Sequence, residues 1–280
     1  MRLPRASGVL LHPTSLPGPF GSGDLGEEAR HFVDWLALAG QRLWQVLPLG
    51  GIGPGDSPYM SPSAFAGNEW LVDPVELARQ GWLASSDLVP PVVADPARID
   101  YATVLPWRRQ RLEKAAAAFA AGATPDQRAD FERYAAAQAD WLDDYALFMA
   151  LGEVHGADRG VAWNEWPAAL VRREPAALAA AARELAPRLG FWRFVQWCFD
   201  RQWAALRAHA HQRGVQIVGD APIFVAYHSA DVWAHPELFD LDEGGRPRVV
   251  AGVPPDFFSA VGQRWGNPLY RWEAHAQDDF

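Results

Sequence analysis

The 280-residue chain has one cysteine, Cys198, so no intrachain disulfide can form. It has no run of basic residues. Its 25 lysines and arginines stand against 34 acidic residues, a formal net charge of −9 with a pI near 5.3. Phosphate backbones and anionic lipid would find little to grip, which excludes nucleic acid and membrane surfaces as partners. No apolar stretch approaches the roughly 20 residues that span a bilayer. The start, Met1-Arg-Leu-Pro-Arg5, leads only into Gly8-Val-Leu-Leu11, too short for a secretory core. The expected compartment is the cytoplasm.

Several chemistries are missing too. There is no cysteine pair and no His-Glu-x-x-His, and His209 and His211, two apart on a helix, point to different faces and read as solvated. Ser7 and Ser57 lack the Gly-x-Ser-x-Gly frame of an acyl-transfer nucleophile. Gly21-Ser-Gly-Asp-Leu-Gly26 matches the dinucleotide pattern. However, nine residues with three prolines separate it from the preceding strand, and the acidic residue wanted after the second strand is absent until Asp56. A loop turning into a helix is the simpler reading of those glycines. No cofactor and no metal are expected.

The chain is rich in apolar residues, at 49%, and in tryptophan, with fourteen. It therefore folds around a core. So many indoles fit either a bulky core or a cleft that stacks flat rings on the C–H faces of sugars.

Gly8–Leu11 reads as a short strand, followed by an irregular Pro-rich loop. A helix with Asp24 as N-cap carries Ala29, Phe32, Val33 and Leu36 at helical spacing up to Gly40, and Leu43–Leu47 is a second strand. Strand, helix, strand is a βαβ unit and implies parallel sheet. The next strand, Val215–Val218, follows only after Ala-rich helical stretches around 108–121, 125–151 and 175–189, which read as an insert. The last helix before it bears Phe191, Phe194, Val195, Cys198, Phe199 and Leu206 in one stripe, making Cys198 a small buried hydrophobe. After Val218 little periodicity is visible, apart from a tight turn at Asp242–Pro247. The expected division is 1–75, a helical insert at 76–190, and 191–280 with the third strand and cleft loops.

In parallel α/β enzymes, groups just past the C-terminal ends of strands carry the chemistry. Asp220 directly follows the third strand and is either such a group or a capping Asp. Asp56, Ser57 and Tyr59 lie in a Gly/Pro-fixed segment after the second strand. Gln263-Arg-Trp-Gly-Asn-Pro-Leu-Tyr-Arg-Trp272 mixes amides, arginine and rings suited to a sugar's edge and face.

Taken in order, these segments resemble one family. They are Leu11-His-Pro-Thr-Ser-Leu-Pro-Gly18 with Gly23-Asp-Leu-Gly26, Trp44-Gln-Val-Leu-Pro-Leu49, Asp56-Ser-Pro-Tyr59 with Ser63-Ala-Phe-Ala-Gly-Asn68, Gly219-Asp-Ala-Pro-Ile-Phe-Val-Ala226, Ser229-Ala-Asp-Val-Trp233, Val253-Pro-Pro-Asp-Phe-Phe-Ser259 and Gly262–Trp272. The family is the amylomaltases, 4-alpha-glucanotransferases of glycoside hydrolase family 77. The resemblance implies an α/β fold, the first three strands of a (β/α)8 TIM barrel with an inserted helical subdomain. It also implies a retaining double displacement that transfers segments of 1,4-alpha-D-glucan. Maltooligosaccharides and amylose would be donors, with other glucans or glucose as acceptors. Two carboxylates about 5 to 5.5 Å apart perform such chemistry. The resemblance places them in segments expected after Phe280, so that no residue of this chain is assigned nucleophile or acid/base. It gives Asp56, Ser57, Tyr59 and Asp220 to the donor side of the cleft, Pro254, Asp256 and Phe257 to a covering loop, and Gln263, Trp265 and Asn267 to the neighbourhood of the cleaved bond. The alternative expectation is an inactive, truncated glucan-binding fragment.

Overall fold

The computed structural model describes residues 5–93, 95 and 97–279. In chain order its regular elements are β1 (Gly8–Leu10), α1 (Glu27–Leu38), β2 (Leu43–Gln45), α2 (Pro74–Arg79) and α3 (Tyr101–Gly122). Next come α4 (Pro125–Ala137), α5 (Ala139–His155), α6 (Ala168–Val171), α7 (Pro175–Glu184) and α8 (Ala186–Gln212). They are followed by β3 (Gln216–Val218), α9 (Ala230–Ala234), β4 (Val250–Val253), β5 (Gln263–Pro268) and α10 (Trp272–His275). Two compact units result. One comprises the chain up to Leu49, Gly67–Ala137 and Arg193–Ala221; the other comprises Gly50–Ala66, Gln138–Trp192 and the chain from Pro222 onward.

In the first unit β1, β2 and β3 form a parallel sheet in that order, with Val9 opposite Trp44 and Trp44 opposite Ile217. The chain is thus α/β, as the βαβ reading requires. Trp44 is fully buried on the middle strand, donates its indole N–H to the Leu11 carbonyl at 2.8 Å, and meets Phe32 of α1 edge to face. Asp24 does not cap α1. The cap position is Gly26, and the Asp24 carboxylate instead accepts the Gly26 N–H at 3.0 Å and pairs with buried Arg108 at 3.1 Å. A buried guanidinium needs a counter-charge more than a helix needs a side-chain cap.

The stripe on α8 is core, as its spacing predicts. Phe194 and Trp197 pack with Trp82 and Phe119, with ring centres between 5.1 and 6.0 Å apart. Cys198 lies beside them, and burial pushes its thiol up, so it stays protonated. Two α8 amides act as clamps on the backbone. Gln196 accepts the Gly67 N–H at 2.8 Å and donates to the Gly67 carbonyl, and Gln202 does the same at Asp73. His209 is not simply solvated, because its Nε2 lies 2.9 Å from the Asp34 carboxylate on α1.

The second unit packs helices against a tryptophan-rich core. Trp166 and Phe148 surround Trp233, whose indole donates to the Leu170 carbonyl at 3.0 Å while Arg173 lies over its ring. The expected helix over 125–151 is two helices, broken at Gln138, where the division between the units also falls. The aperiodic C-terminal stretch holds the antiparallel pair β4 and β5, with Val253 opposite Gln263. Gly252 is needed there, since a Cβ at that position would run into the Gln263 carbonyl. No helix among the described residues is long and apolar enough to cross a membrane.

Candidate glucan-binding site

Asp220 is exposed, two residues beyond the end of β3 in the first unit. Strand β3 carries it there because its three residues pair with β2 and the ladder then stops.

The other residues singled out from the sequence all belong to the second unit. Asp56 closes a tight turn, donating its N–H to the Gly53 carbonyl at 3.0 Å, with Gly53 in turn donating to Ser57. Asp56 has a φ of +56°, in the left-handed region that Asp enters more readily than most residues. The Ser57 hydroxyl accepts the Tyr59 N–H at 3.3 Å and so starts the next turn, from which Tyr59 projects with 42% of its surface exposed.

That turn is anchored to the β4–β5 hairpin through Asn267. Asn267 is 4% exposed, and its side-chain nitrogen donates to the Val225 carbonyl at 2.8 Å and lies 3.7 Å from the Met60 sulfur. The structure therefore brings Met60, the residue after Tyr59, against Asn267 near the end of β5. Further along β5, Gln263 and Trp265 share a hydrogen bond of 3.1 Å, the indole donating to the amide oxygen, and Trp265 is 44% exposed. Such a pairing holds the ring while leaving a face open to a ligand. At the hairpin's far end Pro254 leads into a loop shaped by Asp256, whose carboxylate accepts the N–H groups of Phe258 and Ser259 at 2.9 and 2.8 Å. This Asx turn lifts Phe257, 96% exposed, and Phe258 into solvent.

The segment following Asp220 is tied down by residues that sequence reasoning left without a role. Tyr270 donates its hydroxyl to the Ile223 carbonyl at 2.9 Å and stacks on Phe224. Trp163 donates its indole N–H to the Tyr227 carbonyl at 2.9 Å and its backbone N–H to His228. Tyr227 donates to the Gly245 carbonyl at 2.9 Å, within the turn expected at Asp242–Pro247. Burial pushes both phenols up and the His228 imidazole down, so Tyr227 and Tyr270 remain donors and His228 a neutral acceptor near pH 7. These contacts join segments far apart in sequence, and only the rings themselves, standing in an otherwise patternless stretch, hint at them.

Exposed rings next to amides and carboxylates are suited to binding a sugar. Among the described residues no group of three or more His, Cys, Asp or Glu is placed to hold a metal ion.

The chain is 54% identical over 280 residues to a 4-alpha-glucanotransferase of Thermus thermophilus, covering all of this chain and 55% of that protein. It is 47% identical to one from Synechocystis, covering 96% of this chain and 53% of the relative. It spans about half the length of the curated relatives it matches. Among solved structures, an amylomaltase from Streptococcus agalactiae in complex with acarbose superposes with a TM-score of 0.93 at 41% identity, over 99% of this chain and 55% of that one. The amylomaltase of Corynebacterium glutamicum shares the fold, with a TM-score of 0.65 at 19% identity, over 95% and 36% of the two chains. Residues 11–280 match glycoside hydrolase family 77, described as 4-alpha-glucanotransferase, and the chain belongs to that family.

Proposed function

We propose that this chain forms the glucan-binding part of a 4-alpha-glucanotransferase, with its three parallel strands the first three of a (β/α)8 TIM barrel. On this reading residues 76–190 are an insert between barrel segments 1–75 and 191–280. The observation that supports it most is that, in a member of this family, Asn267 joins β5, which carries Trp265, to Met60 beside Tyr59 and to Val225 in the loop after β3.

In a retaining transfer, an attacking carboxylate displaces the leaving glucan from the anomeric carbon while a second carboxyl protonates the departing oxygen. An acceptor hydroxyl then reverses both events. None of residues 1–280 is assigned either role. Asp56 and Ser57 orient the donor sugar's hydroxyls, Tyr59 and Trp265 stack on its faces, and Pro254 and Asp256 shape a loop that excludes water, favouring a sugar acceptor over hydrolysis; Asp220 keeps a donor-side role on the resemblance alone. Asn267, whose side-chain nitrogen donates to the Val225 carbonyl, stands on β5 with Gln263 and Trp265 and is assigned with them to the neighbourhood of the cleaved bond. The substrates are maltooligosaccharides and amylose, with glucose as an acceptor, and the compartment is the cytoplasm.

The test is calorimetric titration of the 280-residue chain with maltotriose, with the products separated afterwards. Saturable binding without glucose release or chain extension is expected, because neither carboxylate of the transfer is assigned to these residues, and Trp265→Ala should weaken the binding about tenfold. Absence of saturable binding by the wild-type chain would reject the proposal.

A further inference from the structure

The second unit holds a cavity of about 370 Å3 whose walls include none of the residues given a substrate role by the family resemblance, although Phe65, Val225, Asp231 and Tyr270 lie in segments that carry it. Trp141 of α5 and Phe65 lie nearly parallel in its lining, ring centres 6.1 Å apart and planes 22° apart, with Phe65 mostly exposed. Tyr270 contributes a third ring, fixed by its bond to Ile223 and packed on Phe239 at 5.3 Å. Three carboxylates stand among these rings, Asp140 and Asp144 on α5 and Asp231 on α9.

Their state selects the ligand. Asp144 is already paired with Arg173 at 2.6 Å. Asp231 accepts the Ala64 N–H at 3.0 Å, and burial raises its carboxyl above the usual range. Only Asp140, exposed at the start of α5, offers an unanswered charge among the three, which is poor provision for a cation. Flat apolar rings with hydrogen-bonding carboxylates around them suit a pyranose instead, and the volume falls in the small-ligand range of about 300–1,000 Å3.

We propose that this cavity is a second saccharide site, in which the C–H face of a glucosyl unit stacks on Trp141 and its hydroxyls donate to Asp140 and Asp144. The choice of a glucosyl unit rests on the glucan reading above; the site's geometry does not. A glucan held there would be tethered to the protein without entering the Tyr59–Trp265 site.

Calorimetric titration of the protein with acarbose tests this. Wild type should bind two equivalents. Trp141→Ala should leave one, and Phe65→Ala, a change at an exposed ring that should leave folding intact, should weaken the same equivalent about tenfold. Tyr59→Ala should weaken the other about tenfold. A single wild-type equivalent weakened by Tyr59→Ala would overturn the second site, and so would two equivalents unchanged by Trp141→Ala and Phe65→Ala. Binding that depends on Trp141 but not on Tyr59 would keep the second site and reject the Tyr59 assignment, whereas no binding at all rejects both.

Discussion

The side-chain amide of Asn267 on β5 donates to the Val225 carbonyl, 42 residues earlier in the chain, at 2.8 Å. One buried hydrogen bond thus ties the hairpin that carries Gln263 and Trp265 to the loop after β3. Truncating one partner leaves the other buried and unpaired. Asn267→Ala should therefore destabilise the fold by about 1–3 kcal/mol, read as a lower denaturant midpoint. An unchanged midpoint would mean that the loop is held by Tyr270 and Trp163 alone.

Asp73 predicts an unusual pH dependence. It is buried as the N-cap of α2, and burial, then the neighbouring Asp24, push its carboxyl from 3.8 up to about 6. The folded protein therefore binds a proton that the unfolded chain has released, so between those two values stability falls as pH rises, and above about 6 this contribution is flat. Asp73→Asn keeps a capping oxygen and removes the titration. Melting temperatures across that window should slope downward less steeply in the variant, and parallel profiles would contradict the assignment.

The close approach of Gly67 to α8 gives a steric prediction. A Cβ at this residue would fall within the ring of Phe199. Gly67→Ala should cost about 1–3 kcal/mol by overpacking, measured by thermal or chemical denaturation. The double variant with Phe199→Leu should recover part of the loss.

The βαβ start was legible because its signals are local. Helical apolar spacing in α1, Gly40 and the flanking strands lie within about 40 residues, and the α8 stripe is long and periodic. Asp24 misled because the demand of Arg108, 84 residues away, outweighs a local capping preference. The β4–β5 pair was illegible because Gln-Arg-Trp-Gly-Asn-Pro has no alternation, and its pairing depends on Gly252 admitting the Gln263 carbonyl. The site segments were readable as a family pattern, whereas the roles of Tyr270 and Trp163 depend on carbonyls far away in sequence. The tryptophans divided both ways. Trp44, Trp163, Trp192, Trp197 and Trp233 are core, and Trp265 and Trp272 are exposed.

The central claim is that exposed rings on the turn after Ser57 and on β5 hold an alpha-1,4-glucan. Equilibrium titration of wild type, Tyr59→Ala and Trp265→Ala with maltotriose measures this most directly. The expected result is a dissociation constant about tenfold higher for each variant with an unchanged melting temperature, because each ring is partly exposed and its stacking energy goes to the glucan. Both variants binding as tightly as wild type would contradict it.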